Sequence, residues 1–286
     1  MTEDLTQTFA RFVTQLRCDD IPSRVRERVK DLLLDALGSA LAGYAGEDTP
    51  KVARFAAALG PSGMSGTSSV MGGSPLSLTG ATAMNGFLIT AVSLCDVYRP
   101  TATHVQPVVI PPALAIAERE NASGADLLAA LAAGFEVTTR IGAGLDYAAF
   151  RQRGWHGPGV IGPFGAAAAT GRLLHLDTSK MAMAFGLAGS QAAGTFAAWG
   201  TSSVKFHQFR GALSGLMAAL LAYEDFAATQ EFLAARDGGF YATYSGKGAR
   251  PAATEKLGEH WELEQDRKST RLNSSHVSES RMPSSA

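Results

Sequence analysis

Cys95-Asp96-Val97-Tyr98-Arg99-Pro100-Thr101-Ala102-Thr103-His104 is a polar, proline-stiffened stretch between two apolar ones. Gly86 to Leu94 precedes it, and the apolar run Val108 to Ala117 follows after Val105-Gln106-Pro107. Neither flank alternates with period two, so the stretch reads as a link between two core helices. It gathers a carboxylate, a guanidinium, hydroxyls and an imidazole on one connection, and connections held by rigid elements often carry binding or catalytic groups. A surface loop with a stray histidine is the plainer reading, and spacing alone favours it.

Outward from this link the helical period recurs. Leu5, Phe9, Phe12, Val13 and Leu16 make a short amphipathic helix that stops near Asp19-Asp20, and Pro22 opens a second. Val25, Val29, Leu32, Leu33, Ala36, Leu37 and Ala40 form the second helix's stripe. Its charges crowd the first half, which places the second half deeper in the core. Thr49 caps a third helix with Pro50 at its first position. Gly60 to Gly73 reads as a loop with a short strand at Ser69-Val70-Met71, and no Lys follows in the register of a phosphate-binding loop. Thr79 to Leu94 and Val108 to Glu120 are the helices that flank the link. Ser123-Gly124-Ala125-Asp126 is similar to a capping box and opens a helix to about Arg140. Asp177 caps another, and helices over Gly211 to Phe226 and Thr229 to Ala235 follow. The fold class is all-α, with no repeat of fixed period.

The composition suits a compact globular chain, with 46% hydrophobic and 18% charged residues among 286. Its net charge of −1, with no basic cluster interleaved with aromatics, argues against nucleic-acid binding. Cys18 and Cys95 are too few for a disulfide framework, and the acidic start Met1-Thr2-Glu3-Asp4 has no following apolar segment, so a reducing, cytoplasmic setting is expected. Met181 to Gly200 approaches membrane-spanning length but is rich in Gly and Ala, so a buried helix and loop are expected there. From Asp266 to Ala286 the chain turns polar and Ser-rich. Asp266 to His276 and Ser280 to Ala286 read as one translated frame of a common sequencing adapter. Residues 1–265 are therefore taken as one helical domain and 266–286 as a non-native, disordered tail.

From Phe9 to Glu264 the chain resembles the MmgE/PrpD family of 2-methylcitrate dehydratases and cis-aconitate decarboxylases. The link ending in Thr103-His104 carries the likeness, together with Leu34-Asp35-Ala36-Leu37-Gly38, Trp155-His156-Gly157-Pro158 before an alanine-rich helix, Val204-Lys205-Phe206-His207, and Gly239-Phe240-Tyr241. The chain departs from the pattern in Cys95-Asp96, where relatives often have two acids, and in Ser93 and Val97. Its link between Lys205 and Arg210 is also a residue shorter.

The resemblance implies a homodimeric lyase or isomerase that removes water or carbon dioxide from a small polycarboxylate, without metal or organic cofactor. Such chemistry needs cations for the carboxylates and a positioned proton-transfer group. His104 is the candidate for the latter, because imidazole titrates near neutral pH. Asp96 would orient it or a cation, and Lys205 would supply a point charge. His156, at a helix start, and Thr103 would help hold the substrate. The structural alternatives are a turn-bonded His156, a solvated Lys205, an Asp96 that only caps a helix, and His207 and Arg210 as surface or dimer-contact residues. Histidines without HExxH spacing imply no metal. The resemblance also implies an α/β lid and closing helices beyond Gln265, so the chain as written is expected to be an inactive fragment. The other functional class is a non-catalytic helical module for binding or self-association.

Overall fold

Asp4 caps the first helix, α1 (Leu5–Gln15), its carboxylate accepting the N–H groups of Thr6 and Gln7. The computed structural model to which it belongs describes residues 4–60 and 67–264. Helices follow one another along the chain: α2 (Ser23–Gly43), α3 (Thr49–Ala58), α4 (Leu78–Thr90), α5 (Gln106–Arg119) and α6 (Gly124–Ala143). After them come α7 (Tyr147–Gln152), α8 (Gly157–Val160), α9 (Gly162–Leu173), α10 (Thr178–Ser190), α11 (Ser203–Tyr223) and α12 (Phe240–Ser245). The described strands are β1 (Thr67–Ser68) and β2 (Leu76–Ser77), paired antiparallel. The all-α expectation holds. The tail expected at Asp266 to Ala286, and residues 61–66 of the expected loop, lie outside the described residues.

Helix α9 is the centre of the bundle. Every residue from Gly162 to Gly171 is buried, and α5, α6, α10 and α11 all pack on it. Its alanines and glycines let neighbouring backbones approach closely. Against α6 the approach is close: a Cβ on Gly134 would lie 2.8 Å from the Gly165 carbonyl oxygen, and one on Gly165 would lie 2.6 Å from that of Gly134 and collide with Thr138 Oγ1. The modest use of large aliphatics thus reflects dense backbone contact.

A buried ion pair ties the end of the described chain to this bundle. Arg140 Nε donates to Glu136 Oε1 at 2.8 Å, with the two side chains 2% and 0% exposed. The Arg140 guanidinium also donates to the carbonyls of Ala252, Glu255 and His260, and Glu136 Oε1 accepts the Glu262 N–H. Removing one member would strand a buried charge, which makes the cluster a clamp on residues 250–262.

Several local expectations are corrected. The strand lies at Thr67–Ser68, two residues before Ser69-Val70-Met71, because Asn85 takes the backbone of Ser69 and Met71 into side-chain hydrogen bonds. In α2 the buried stripe is Val25, Val29, Leu32, Ala36 and Ala40, but its second half is not deeper: Leu34 and Leu41 are 70% and 59% exposed. Thr49 is the first residue of α3 instead of its cap, and its hydroxyl donates to the Gly43 carbonyl. Residues 229–235 form no helix. Phe232 and Leu233 are instead anchored by Thr6 Oγ1, which accepts the Leu233 N–H, and by the Phe240 N–H, which bonds the Phe232 carbonyl. Helix α11 begins at Ser203, eight residues before Gly211, so Lys205 sits in its first turn. Met181 to Gly200 is α10 and the loop after it, and no helix among the described residues is long and apolar enough to cross a membrane.

The α6–α9 contact yields a direct test. Gly165→Ala is expected to cost about 1–3 kcal/mol of stability, as overpacking does. Gly124→Ala, where nothing lies within 4 Å of the added carbon, is expected to cost nothing. Thermal unfolding of both variants measures the difference.

Candidate functional site

The link between α4 and α5 is held shut by exchange between Asp96 and Gln106. Asp96 Oδ1 accepts the N–H groups of Val105 (3.3 Å) and Gln106 (3.0 Å), which are unsatisfied donors at the start of α5. In return the Asp96 N–H donates to Gln106 Oε1 at 3.3 Å. The Gln106 amide nitrogen continues the chain of bonds to the Leu32 carbonyl and to Asp35 Oδ2, at 3.0 and 2.9 Å. Asp96 and Gln106 are both buried, so these bonds form where water does not compete.

Within the link, Tyr98 and Thr103 exchange backbone hydrogen bonds of 2.9 and 3.2 Å around a tight turn at Arg99–Thr101. Ala102 takes a left-handed conformation at φ 43° to close it. His104 follows, half-buried, with Nδ1 2.7 Å from the Asp96 carbonyl oxygen and 3.4 Å from Cys95 Sγ. A carbonyl only accepts, so Nδ1 carries the hydrogen and Nε2 is left for other partners. Burial pushes the Cys95 thiol up, with the Asp96 carboxylate adding to the effect, so the sulfur stays a thiol.

The His156 loop meets this link edge to edge. A Cβ on Gly157 would collide with Thr103 Oγ1 and approach the Thr101 carbonyl, so only glycine fits. The His156 N–H donates to the Gly194 carbonyl at 3.0 Å, and its ring lies against Phe196 and His207. His156 Nδ1 and His207 Nδ1 are 2.9 Å apart, both side chains buried. Burial pushes the His156 imidazole down to about 3, with the charges of His207, His104 and Arg151 acting in the same direction. His207 is also lowered, first by burial and then by Arg210. Both rings are therefore neutral near pH 7, and one Nδ1–H is shared between them.

The candidate residues thus divide. His104, Thr103 and His156 converge where the two loops meet. Asp96 lies beside His104, with carboxylate Oδ1 capping α5 and its carbonyl facing the imidazole, a placement that positions His104. The Thr103 hydroxyl donates to the Thr101 carbonyl (2.9 Å) and accepts from Thr101 Oγ1 (3.0 Å), which spends its hydrogen on the turn and not on a ligand. Lys205 donates to the carbonyl of Ala91, where a cation suits the end of α4, and Asp48 lies within its electrostatic reach. Arg210 is a loop clamp, donating to the carbonyls of Gln191, Gly159 and Ala193. Among the described residues, no three His, Cys, Asp or Glu side chains cluster as metal ligands would.

Sequence reading passed over Gln106 and underrated His207. Gln106 precedes a proline at a helix start, where a polar side chain next to an orphan donor is a legible signal. His207 sits mid-turn in α11 with no sequence sign that it reaches His156.

Residues 7–252 match the family model of the MmgE/PrpD N-terminal domain. Among curated proteins, the chain is 33% identical to a cis-aconitate decarboxylase-like protein of Aspergillus oryzae, over 91% of this chain and 56% of that one. It is 32% identical to a cis-aconitate decarboxylase of Aspergillus terreus, over 90% and 54% of the two chains. With the Homo sapiens cis-aconitate decarboxylase it shares 33% identity over 86% and 52%. The chain spans about half the length of the curated relatives it matches.

The buried histidine pair has a consequence for stability. An unfolded imidazole takes up a proton near its ordinary value of about 6.5, whereas folded His156 resists until about 3. Between those values the unfolded chain binds more protons, so stability is full above about pH 6.5 and is lost as pH falls. The expected slope is up to about 1.4 kcal/mol per pH unit for one proton. Calorimetry from about pH 7 to about pH 5, above the ordinary carboxylate range, should show a falling melting temperature, with the fall reduced in His156→Gln.

Proposed function

The chain belongs to the MmgE/PrpD family, and from that membership we propose that it contributes the helical domain of a lyase that decarboxylates a small polycarboxylate of the cis-aconitate type. The observation that carries this reading is His104, whose Nδ1–H is held by the Asp96 carbonyl, which leaves Nε2 for another partner, and whose charge acts on His156. The names of the relatives support decarboxylation over the dehydration also known in the family.

Loss of carbon dioxide from a carboxylate attached next to a carbon–carbon double bond leaves an electron pair on the adjacent carbon. That pair delocalises through the alkene towards a far carboxylate, and one proton delivered at the far carbon completes the reaction. His104 is assigned the proton delivery, from Nε2–H of its imidazolium, with the Asp96 carbonyl holding the ring in place. His156 is assigned as a neutral hydrogen-bond donor to a substrate carboxylate. Lys205 is assigned as the cation for another, since its ammonium has three donors and the Ala91 carbonyl uses one. Thr103 shapes the junction by its fit against Gly157. Homodimerisation and a cytoplasmic setting belong to the same proposal.

The test uses the chain extended to the length of its relatives and assayed on cis-aconitate, 2-methylcitrate and related di- and tricarboxylates. Carbon dioxide release from cis-aconitate is the expected outcome, and His104→Gln is expected to lower kcat by about 10²-fold or more, the usual cost of losing a general acid. Lys205→Ala should chiefly raise KM, because its contact exists before and during the reaction. Near wild-type kcat in a folded His104→Gln protein would overturn the assignment.

A further inference from the structure

His207 lies on α11, outside the two loops that carry His104 and His156, yet its ring is in hydrogen-bond contact with His156. We propose that His207 is a positioning residue that donates Nδ1–H to His156 Nδ1 and thereby holds His156 as the Nε2–H tautomer, a neutral donor aimed at a substrate carboxylate. The hydrogen bond between the two rings stands on geometry, and the choice of His207 as its donor rests on the proposed polycarboxylate reading.

Two imidazoles with their Nδ1 atoms 2.9 Å apart form one good hydrogen bond only if one nitrogen carries hydrogen and the other a lone pair. Which ring donates decides what His156 offers elsewhere. If His156 kept its hydrogen on Nδ1, its Nε2 would be a lone pair and would repel a carboxylate. If His207 donates, His156 must carry its hydrogen on Nε2 and becomes a donor.

Three features at the junction favour the second arrangement. Thr103, the hydroxyl nearest the His156 loop, has already spent its hydrogen on the Thr101 carbonyl. Burial and the charges of His207, His104 and Arg151 disfavour the imidazolium form of His156. A neutral donor is what remains for it to be. The backbone also fixes the pair without slack. The His156 N–H is bonded to the Gly194 carbonyl, the space where a Gly194 side chain would go is filled by the His207 ring at 3.0 Å, and the Gly159 face abuts the His207 Cβ. His207 itself is set on α11 one turn before Arg210, whose bonds to the Gly159 and Ala193 carbonyls hold the two loops against that helix.

The experiment begins with the native chain labelled with ¹⁵N-histidine, read by long-range proton–nitrogen correlation at neutral pH. The expected result is a protonated Nε2 and bare Nδ1 for His156, with the reverse for His207. The opposite pattern, or rapid averaging of both rings, would overturn the proposal. Assignment comes from His156→Gln and His207→Asn. In His207→Asn the side-chain amide can occupy the Nδ1 position and donate, so His156 should keep its tautomer. In His207→Leu it should lose it. In the extended protein, His207→Leu should raise KM several-fold with kcat changed less, and His207→Asn should restore KM. Equal behaviour of the two variants in both readouts would sink the idea. Absence of turnover on every polycarboxylate would instead remove the ligand assignment, while the resonance pattern would still decide the tautomer.

Discussion

The reciprocal bonding of Asp96 and Gln106 is the constraint on which the candidate site depends. A carboxylate at a helix start offsets orphan N–H groups, and here the residue that supplies one of those N–H groups returns a bond to the carboxylate's own backbone. The link is thus closed at its base by two residues ten apart, and His104 has no freedom to swing away from the Asp96 carbonyl. Because both partners are buried, removing either leaves the other unsatisfied at a cost of about 1–3 kcal/mol. Asp35 extends the arrangement into α2 by accepting from the Gln106 amide. One acidic residue therefore caps a helix with its side chain and orients an imidazole with its main chain.

A second anchor reaches the same link from the far end of the described chain. Tyr98 Oη donates to Glu262 Oε2 at 2.6 Å, and the Glu262 N–H is held by Glu136, which pairs with Arg140. The link is therefore braced from α2 through Gln106 and from α6 through Glu262. Between these braces the bundle has few large side chains to rely on. Its stiffness comes from helices brought into backbone contact by glycine and alanine, as α6 is against α9 and α11 against α9. Such contact tolerates little displacement, which suits a site made of two loops that meet across a single glycine, Gly157.

The helices were legible because their apolar residues keep one period and their ends carry recognisable caps, as at Ser123 and Asp177. What failed was depth. Leu37 obeys the helical period of the α2 stripe yet is 38% exposed, because periodicity identifies a face and says nothing of what covers it. Thr229 to Ala235 was misread for a different reason: its apolar residues are pinned by α1 and by the turn before α12, and tertiary bonds override a local preference. At the site, His104 and His156 could be named from polar residues on short links. Of the partners that define their chemistry, Gln106 leaves a signal at its helix start and His207 leaves none. Gln106 and His207 lie inside helices, and their effect comes from atoms brought near them by folding.

The charges around the junction follow the same division between contact and field. The Arg210 guanidinium is committed to backbone carbonyls, so it offers little hydrogen-bonding capacity to a ligand. Its positive charge nevertheless persists, because a guanidinium does not lose its proton in a folded protein. That charge falls on His207, which is lowered first by burial and then by Arg210, while His156 is lowered by burial and by His207, His104 and Arg151. That field disfavours imidazolium and favours an anion at the same place. A neutral imidazole beside a fixed, already bonded cation is suited to donate to a carboxylate, which is the role proposed for His156. The histidine pair and Arg210 thus form one unit, in which the arginine holds the loops against α11 and keeps its neighbour His207 uncharged.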